Sequence, residues 1–279
     1  MHLSLLRVSL TLAVAALATP SIAQTCTSPI PTSDLTVPGK LQLSINPTLP
    51  PLQSVDSKGE LQGVNVELGK EIAKRLCLQM DFQRMDFPAM IPGLQASRFD
   101  GIDTGMFWTE ERSKIMFTVP YALSAIGVLV ANDSKFKPAE PKDLLGHVVA
   151  VDADSYQERW LRNFSKAESE KGAKPMEIRA FITPTEVVAA LRAGQADAAA
   201  LPAYTTNEIA KRGQAIVAIK AMGATPITMA FRKKSVAEAV AKALNEMKKD
   251  GTYAKLLDEF GVPHLSEAEF AIRGPGPSS

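Results

Sequence analysis

The sequence contains few of the residues that usually carry catalytic or metal chemistry. Its 279 residues include 2 cysteines and 3 histidines, and the cysteines form no Cys-x-x-Cys pair, so neither a thiol-redox site nor a structural zinc site is supported. No Gly-x-Gly-x-x-Gly or Walker loop is present, and no nucleophile, base and orienting acid form a recognisable hydrolase motif. We therefore expect a protein without cofactor or metal that is not an enzyme.

The sequence also lacks an excess of charge of either sign. With 31 Lys and Arg against 30 Asp and Glu, the formal net charge of +1 gives no reason to expect nucleic acid or an anionic membrane as a partner. A content of 46% hydrophobic residues is ordinary for a globular chain, which argues against disorder. The length suits one large or two ordinary domains.

The N-terminal residues have the pattern of a secretory signal peptide. An apolar segment from Val8 to Ala18 follows Arg7, and Ser21 and Ala23 are small residues at the positions that a signal peptidase reads. The segment is shorter than the ~20 residues that cross a bilayer. We expect cleavage after residue 23 and a free periplasmic protein, since Thr25 before Cys26 fits a lipoprotein signal poorly.

Export affects how the two cysteines are interpreted. In an oxidising compartment Cys26 and Cys77 are expected to form a disulfide that ties the new N-terminus to the end of the first long helix. The alternative is a buried Cys77 and a frayed, unpaired Cys26, because sequence cannot show that the two Cβ atoms meet.

From residue 41 onward, the pattern is one of strands alternating with helices. Val64, Leu68, Ile72 and Leu76 lie four residues apart and predict one face of a helix, whereas the apolar run 125–131 predicts a strand buried on both faces. Repeated alternation of this kind indicates mainly parallel sheets with helices on both faces. Two such sheets predict a cleft lined by loops at the strand ends.

Six segments, in order over residues 39–261, resemble the periplasmic solute-binding proteins of polar amino-acid ABC importers (bacterial extracellular solute-binding family 3). They are Gly39–Pro51, Gly59–Leu68, Ile91–Arg112, Phe117–Tyr121, Asp143–Gly146 and Met247–Tyr253. The resemblance implies a two-lobed type II binding-protein fold, α/β in class, with a two-strand hinge. It also implies capture of one small solute by closure of the lobes and delivery to membrane permease and ATPase subunits. We expect a monomer.

The resemblance also predicts how the chain divides between the lobes. The first lobe comprises residues 24–126 and 223–263, and the second comprises residues 127–222. The remaining residues 264–279 end in a Gly- and Pro-rich sequence, and we expect them to be disordered.

Ligand contacts on the first lobe are implied by the matched motifs. Arg112 stands where the family holds the ligand carboxylate, and its planar guanidinium suits two parallel charge-assisted bonds. The alternative is an ion pair between Arg112 and Glu111 or Asp86. Gly105 matches a position where main-chain groups approach the ligand, and Thr109 is expected to be a helix N-cap.

On the second lobe, Asp154-Ser155-Tyr156 stands at the start of a predicted helix. The free N–H groups and the helix dipole there favour an anion, so Ser155 and Tyr156 are expected to hold the same carboxylate. The alternative is a capping box between Ser155 and Glu158, and the two can coexist.

Three departures from the family pattern concern the ligand's ammonium group. The ligand-facing loop that begins at Asn46 has Leu49 and Leu52 where aromatic residues are usual, Phe107 replaces a Ser or Thr, and Pro202 replaces an Asp. An unpaired buried ammonium costs several kcal/mol, which argues against a standard α-amino acid in the usual pose.

Asp154 is the expected substitute carboxylate. Phe107 or Trp108 offers a cation an aromatic face, although packing between the lobes explains the two aromatic residues equally well.

Two alternative functions use the same fold. One is a cyclohexadienyl-dehydratase-like enzyme, but no carboxylate occurs between Asp197 and Glu208, where its general acid is expected. The other is a sensor subunit that presents its ligand to a membrane receptor.

Overall fold

The structure has the α/β architecture that the alternating pattern predicts. The computed structural model describes residues 26–277, so the predicted signal peptide, residues 1–23, lies outside the described residues. The strands are β1 (Lys40–Ile45), β2 (Thr48–Leu49), β3 (Gln53–Val55), β4 (Leu61–Gln62), β5 (Gln79–Arg84), β6 (Gly101–Phe107), β7 (Phe117–Val130), β8 (Val148–Asp152), β9 (Glu177–Phe181), β10 (Ala198–Pro202) and β11 (Ile216–Phe231). The helices are α1 (Val64–Arg75), α2 (Phe87–Gln95), α3 (Glu110–Ile115), α4 (Tyr156–Ser169), α5 (Pro184–Arg192), α6 (Ala203–Lys211), α7 (Lys234–Lys249) and α8 (Thr252–Phe260). None of the helices within residues 26–277 combines the length and apolar character that a membrane span requires.

The central sheet joins two halves that are each mainly parallel. Its strand order is β5-β1-β6-β11-β7-β10-β8-β9. β1 runs parallel to β5 and β6, and β8 runs parallel to β9 and β10. β7 and β11 lie between these two sets and are antiparallel to each other. The predicted fold class, two lobes connected by two strands, is confirmed.

The two connecting strands are longer than the apolar pattern indicates. β7 has 14 residues and β11 has 16, whereas the apolar run 125–131 predicted only a short strand at the end of β7. The pairing between β7 and β11 shifts register at several points between Val217 and Thr228 of β11. Because both strands run through the predicted lobe boundaries near residues 126 and 222, the lobe ranges stay a prediction.

Helices cover both faces of the second half of the sheet. Alternate residues of its strands, including Val128, Val151 and Ala200, pack on one face with Leu161 of α4. The residues between them, including Leu129 and Leu201, pack on the other face with helix α5. α6, which follows β10 directly, was missed by the pattern because its nine residues begin Ala-Tyr-Thr-Thr, a weak helix-forming start.

The first long helix, α1, ends two residues before a cysteine that forms a disulfide. Val64, Leu68 and Ile72 are fully buried on one face of α1, as their spacing predicts. Cys77 follows the helix with a φ of +56°, and its N–H donates to the Lys74 carbonyl. Cys77 is bridged to Cys26 with a Cα–Cα distance of 5.6 Å, so the predicted pairing is confirmed and the unpaired alternative is not.

The C-terminal segment is ordered, and the prediction of disorder is wrong for residues 264–277. Phe270 is buried in the core of the first lobe, and the Asn245 side chain bonds both its N–H and its carbonyl, each at 2.8 Å. Bridges from His264 to Ala122 and from Arg273 to Thr118 attach the segment to β7. The Gly and Pro content suggested disorder, but the two apolar side chains of Phe270 and Ile272 anchor the segment.

Candidate functional site

A narrow cleft lies where strand ends from the two lobes face each other. The ends of β6, β8 and β10 and the segment after β1 contribute to it, in agreement with the rule that ligands bind beyond the carboxyl ends of parallel strands. Its lining residues are Asn46, Leu49, Phe87, Thr104, Gly105, Met106, Phe107, Arg112, Asp152, Ser155, Tyr156, Gln157 and Pro202.

Arg112 is a buried cation at this cleft. It lies on α3, whose N-cap is Thr109, as predicted: the Thr109 hydroxyl accepts the Arg112 N–H at 3.2 Å. Only 3% of Arg112 is exposed. Its Nη1 donates to the Phe107 carbonyl at 2.8 Å and its Nη2 donates to the Asp154 carbonyl of the other lobe at 3.2 Å. Because both acceptors are neutral carbonyl groups, these bonds provide no anionic partner for the positive charge of Arg112.

Burial makes this charge costly. Desolvation, together with repulsion from Arg159, lowers the pKa of Arg112 to about 10, although nearby carboxylates oppose the shift. Glu111, an alternative partner for Arg112, instead pairs with Arg159 at 3.8 Å. Among the described residues no carboxylate forms an ion pair with Arg112, so the alternative of a structural ion pair is wrong for this arrangement.

Asp152 places a carboxylate in the same cleft. It ends β8, is 7% exposed, and accepts a hydrogen bond at Oδ1 from Gln157 Nε2 at 3.1 Å. Desolvation raises the pKa of Asp152 to about 7, and main-chain bonding and the Arg112 charge oppose that shift only in part. Neither Asp152 nor Gln157 was predicted as a site residue.

Three buried polar atoms of the cleft lining have no hydrogen-bond partner among residues 26–277. They are Asn46 Nδ2, Arg112 Nε and Gln157 Oε1. A buried donor or acceptor that stays unpaired costs about 1–3 kcal/mol. The set comprises two donors on the first lobe and one acceptor on the second, and it fits a polar ligand.

The N-terminus of α4 borders the cleft, as predicted. The Ser155 hydroxyl accepts the Glu158 N–H at 3.0 Å, and Glu158 Oε2 accepts the Asp154 N–H at 2.8 Å. The Glu158 side chain therefore bonds the N–H of Asp154, the residue before the N-cap, and not the N–H of the N-cap Ser155. The predicted capping interaction forms with this shift of one residue. Ser155 and Tyr156 remain in the cleft lining at the positive end of the helix dipole.

Aromatic packing connects the lobes across the cleft. The rings of Phe107 and Tyr156 stack with centroids 4.9 Å apart and an interplanar angle of 15°. Gly105, with a φ of +70°, lets Leu52 and Tyr204 approach the main chain closely: a Cβ there would lie 2.3 Å from Leu52 Cδ1 and 2.8 Å from Tyr204 Oη.

Two predicted contacts lie outside the cleft lining. Trp108 packs against the C-terminal segment, with its Nε1 donating to the Arg273 carbonyl at 3.5 Å and the Arg273 Cζ 5.5 Å from its ring centroid. Asp154 adopts a φ of +57° and its side chain is exposed, so only its carbonyl reaches Arg112. Asp154 does not line the cleft, although its charge acts on Arg112, and its role as the substitute carboxylate stays a prediction.

The other predicted residues come together. Asn46, Leu49, Gly105, Phe107, Arg112, Ser155, Tyr156 and Pro202 all line the cleft. Phe87, Thr104, Met106, Asp152 and Gln157 line it as well and were missed. The sequence did offer a reason to consider Asp152 as a site residue, because it is the last residue of a buried parallel strand. In the part of the chain that the structure describes, no group of three or more His, Cys, Asp and Glu side chains forms a metal site.

Comparisons with known proteins agree with the fold. The family model for bacterial extracellular solute-binding proteins, family 3, matches residues 41–263. The histidine-binding periplasmic protein of Salmonella typhimurium is 30% identical over 237 residues, which cover 80% of this chain and 88% of the relative. An ancestral arginine-binding protein bound to arginine has a TM-score of 0.73 at 29% identity and covers 80% of this chain and 98% of that one. An ancestral amino acid-binding protein described as a precursor of cyclohexadienyl dehydratase has a TM-score of 0.68 at 28% identity, covering 80% and 95%.

Proposed function

Because the chain belongs to the bacterial extracellular solute-binding proteins of family 3, we propose that it is the substrate-binding component of an ABC importer. It captures a small solute that carries a carboxylate, an amino acid or an amino-acid-like compound, and delivers it to a permease. One matched relative is a histidine-binding periplasmic protein, which supports a periplasmic location for this chain. The signal peptide over residues 1–23 and the monomeric state belong to the same proposal.

The observation that carries the proposal is the state of Arg112. The guanidinium is 3% exposed, lines the cleft and has no anionic partner among the described residues, while its Nε has no hydrogen bond. A ligand carboxylate supplies both the missing charge and the missing acceptor. The planar guanidinium suits this role because it stays charged and bonds a carboxylate in a fixed geometry.

Contacts between the lobes explain how capture is coupled to closure. Arg112 Nη2 bonds the Asp154 carbonyl, Phe107 stacks on Tyr156, and the Thr205 hydroxyl donates to the Pro50 carbonyl at 3.2 Å. Solute binds first to one lobe, and the second lobe then brings the α4 N-terminus to it. Because the ligand stabilises the closed arrangement differentially, it shifts the population toward the form that the permease recognises.

A thermal-shift screen of amino acids, opines, betaines and small organic acids tests the proposal. A ligand at 100 times its Kd adds about 2.7 kcal/mol of stability, so at least one carboxylate should raise the Tm of the wild type. Arg112→Lys keeps a positive charge but loses the planar fork, and it should lose that shift while keeping the circular dichroism spectrum of the fold. Arg192→Lys, at an exposed position, is the matched control. A full shift in Arg112→Lys would remove the guanidinium from the site.

A second candidate function is a dehydratase-like enzyme, and the cleft has one feature that favours it. Asp152, with a pKa of about 7, can supply a proton to a leaving group at neutral pH. The similarity to the ancestral precursor of a dehydratase is compatible with this activity, whereas the matched histidine-binding relative is a binding protein. Incubation with prephenate separates the two functions: product formation establishes the enzyme, and an unchanged substrate supports pure binding.

A further inference from the structure

We propose that Asp152 is the counter-charge for the α-ammonium group of the ligand, so that the cleft selects α-amino acids over carboxylates that lack an amine. This inference rests on the proposed function and specifies the substrate class of the same site. It assigns a ligand role to a carboxylate on β8, in place of the Asp154 side chain that the sequence motif suggested.

The first argument is the balance of charge. Among the residues that line the cleft, Arg112 and Asp152 are the two that carry a formal charge, and the charges are opposite. They are 3% and 7% exposed and do not form an ion pair with each other. A simple anion would compensate Arg112 but add a second negative charge near Asp152. A zwitterion compensates both, which is the arrangement that makes two buried charges tolerable.

The second argument is position. β8 and β10 are parallel neighbours in which Val151 pairs with Ala200, so Asp152 and Pro202 end adjacent strands at the same edge of the sheet. Both line the cleft. β10 ends in Pro202, where the family pattern has an Asp, and Asp152 at the end of the neighbouring strand β8 supplies the carboxylate instead. The Arg112 charge is near enough to lower the Asp152 pKa, and the two charged groups of an α-amino acid are likewise close together.

The third argument is the hydrogen-bonding capacity beside Asp152. Gln157 Nε2 donates to Asp152 Oδ1, which fixes the carboxylate, while Gln157 Oε1 has no partner among residues 26–277. An ammonium group has three donors and no acceptor. The Asp152 carboxylate and Gln157 Oε1 are two acceptors on the second lobe for those donors, and Arg112 Nε and Asn46 Nδ2 are donors on the first lobe for a carboxylate.

Matched ligands separate this role from a purely structural one. Isothermal titration calorimetry compares L-histidine with L-imidazolelactate, and L-arginine with 2-hydroxy-5-guanidinopentanoate, in which a hydroxyl replaces the α-ammonium. The wild type should bind the amino acids more tightly. Asp152→Asn should weaken the amino acids by about 100-fold or more and leave the hydroxy acids unchanged or tighter. The charge-matched control is Asp133→Asn, an exposed carboxylate, which should change neither.

The results that overturn the inference are distinct from those that overturn the proposed function. If Asp152→Asn changes both members of each pair by the same factor, Asp152 acts on Arg112 and not on the ligand. If the wild type prefers the hydroxy acids, selection of the ammonium group fails while carboxylate capture stands. If the wild type binds none of these four compounds, the inference is overturned for this ligand class, and the wider screen still decides the proposed function.

Discussion

Asp152→Asn should stabilise the protein without ligand at alkaline pH and have much less effect at acid pH. In the folded protein, desolvation raises the pKa of Asp152 from 3.8 to about 7. A carboxyl group whose pKa is raised by folding contributes stability that is fully present below the unfolded pKa and is lost as the pH rises through the folded pKa. Above pH 7 the folded chain therefore carries the whole cost of the ionised group.

The size of the effect follows from the shift. A difference of roughly three pKa units corresponds to about 4 kcal/mol, since one unit is about 1.4 kcal/mol. Asparagine has nearly the same shape and no charge, so the variant should gain about 4 kcal/mol at pH 8.5. Near pH 4.5 the folded wild type is already protonated at Asp152, and the gain should fall to about 1 kcal/mol.

Guanidinium unfolding of the wild type and of Asp152→Asn at both pH values measures these differences. The charged groups that act on Asp152 come from two elements, Arg112 of α3 and Glu158 of α4, and the buried Tyr204 hydroxyl of α6 is a neutral neighbour whose pKa burial and the Asp152 charge raise. Arg112, with a pKa of about 10, keeps its charge at both pH values, and the wild type and the variant share every other titratable group, so the difference between the two pH values reports mainly on Asp152. A gain that is equal at pH 4.5 and pH 8.5, or no gain at pH 8.5, would refute the reasoning.

Two further predictions concern parts of the chain away from the cleft. Reducing the Cys26–Cys77 disulfide, which spans a sequence separation of 51, should lower the free energy of unfolding by about 4 kcal/mol, and an unchanged denaturation midpoint with reductant would contradict it. Phe270→Ala should cost about 3 kcal/mol in urea unfolding because the ring is buried against Tyr253, with centroids 4.9 Å apart. Glu269→Ala, at an exposed neighbour, is its control, and a disordered C-terminus would make both substitutions silent.

Periodicity and motif order were sufficient to predict the fold and the position of Arg112 in the cleft lining. The spacing of Val64, Leu68 and Ile72 reports directly which face of α1 is buried, since a helix repeats every 3.6 residues. The pairing of Cys26 with Cys77 could also be predicted, because the chain has no other cysteine. These inferences depend on local pattern and composition, which a sequence contains in full.

The ligand-facing carboxylate could not be predicted in the same way. Asp152 and Asp154 are two residues apart, and an extended strand would place both side chains on the same face. β8 ends at Asp152 and Asp154 adopts a φ of +57° in the following turn, so Asp152 is buried in the cleft lining whereas Asp154 is exposed. Trp108 is a similar case, because its packing depends on the return of Arg273 from the far end of the chain.

The two buried charges of the cleft also explain why closure and recognition belong together. Desolvation lowers the pKa of Arg112 to about 10 and raises that of Asp152 to about 7, so the closed lobes destabilise the ionised form of both groups. A ligand with a carboxylate and an ammonium offsets both penalties at once. A ligand with one charge offsets one penalty and leaves the other group uncompensated. Closure around a solute with one charge is then opposed by the desolvation of the group that stays uncompensated, whereas the two charges of an α-amino acid offset both penalties, and this difference provides selectivity without a contact to the ligand side chain.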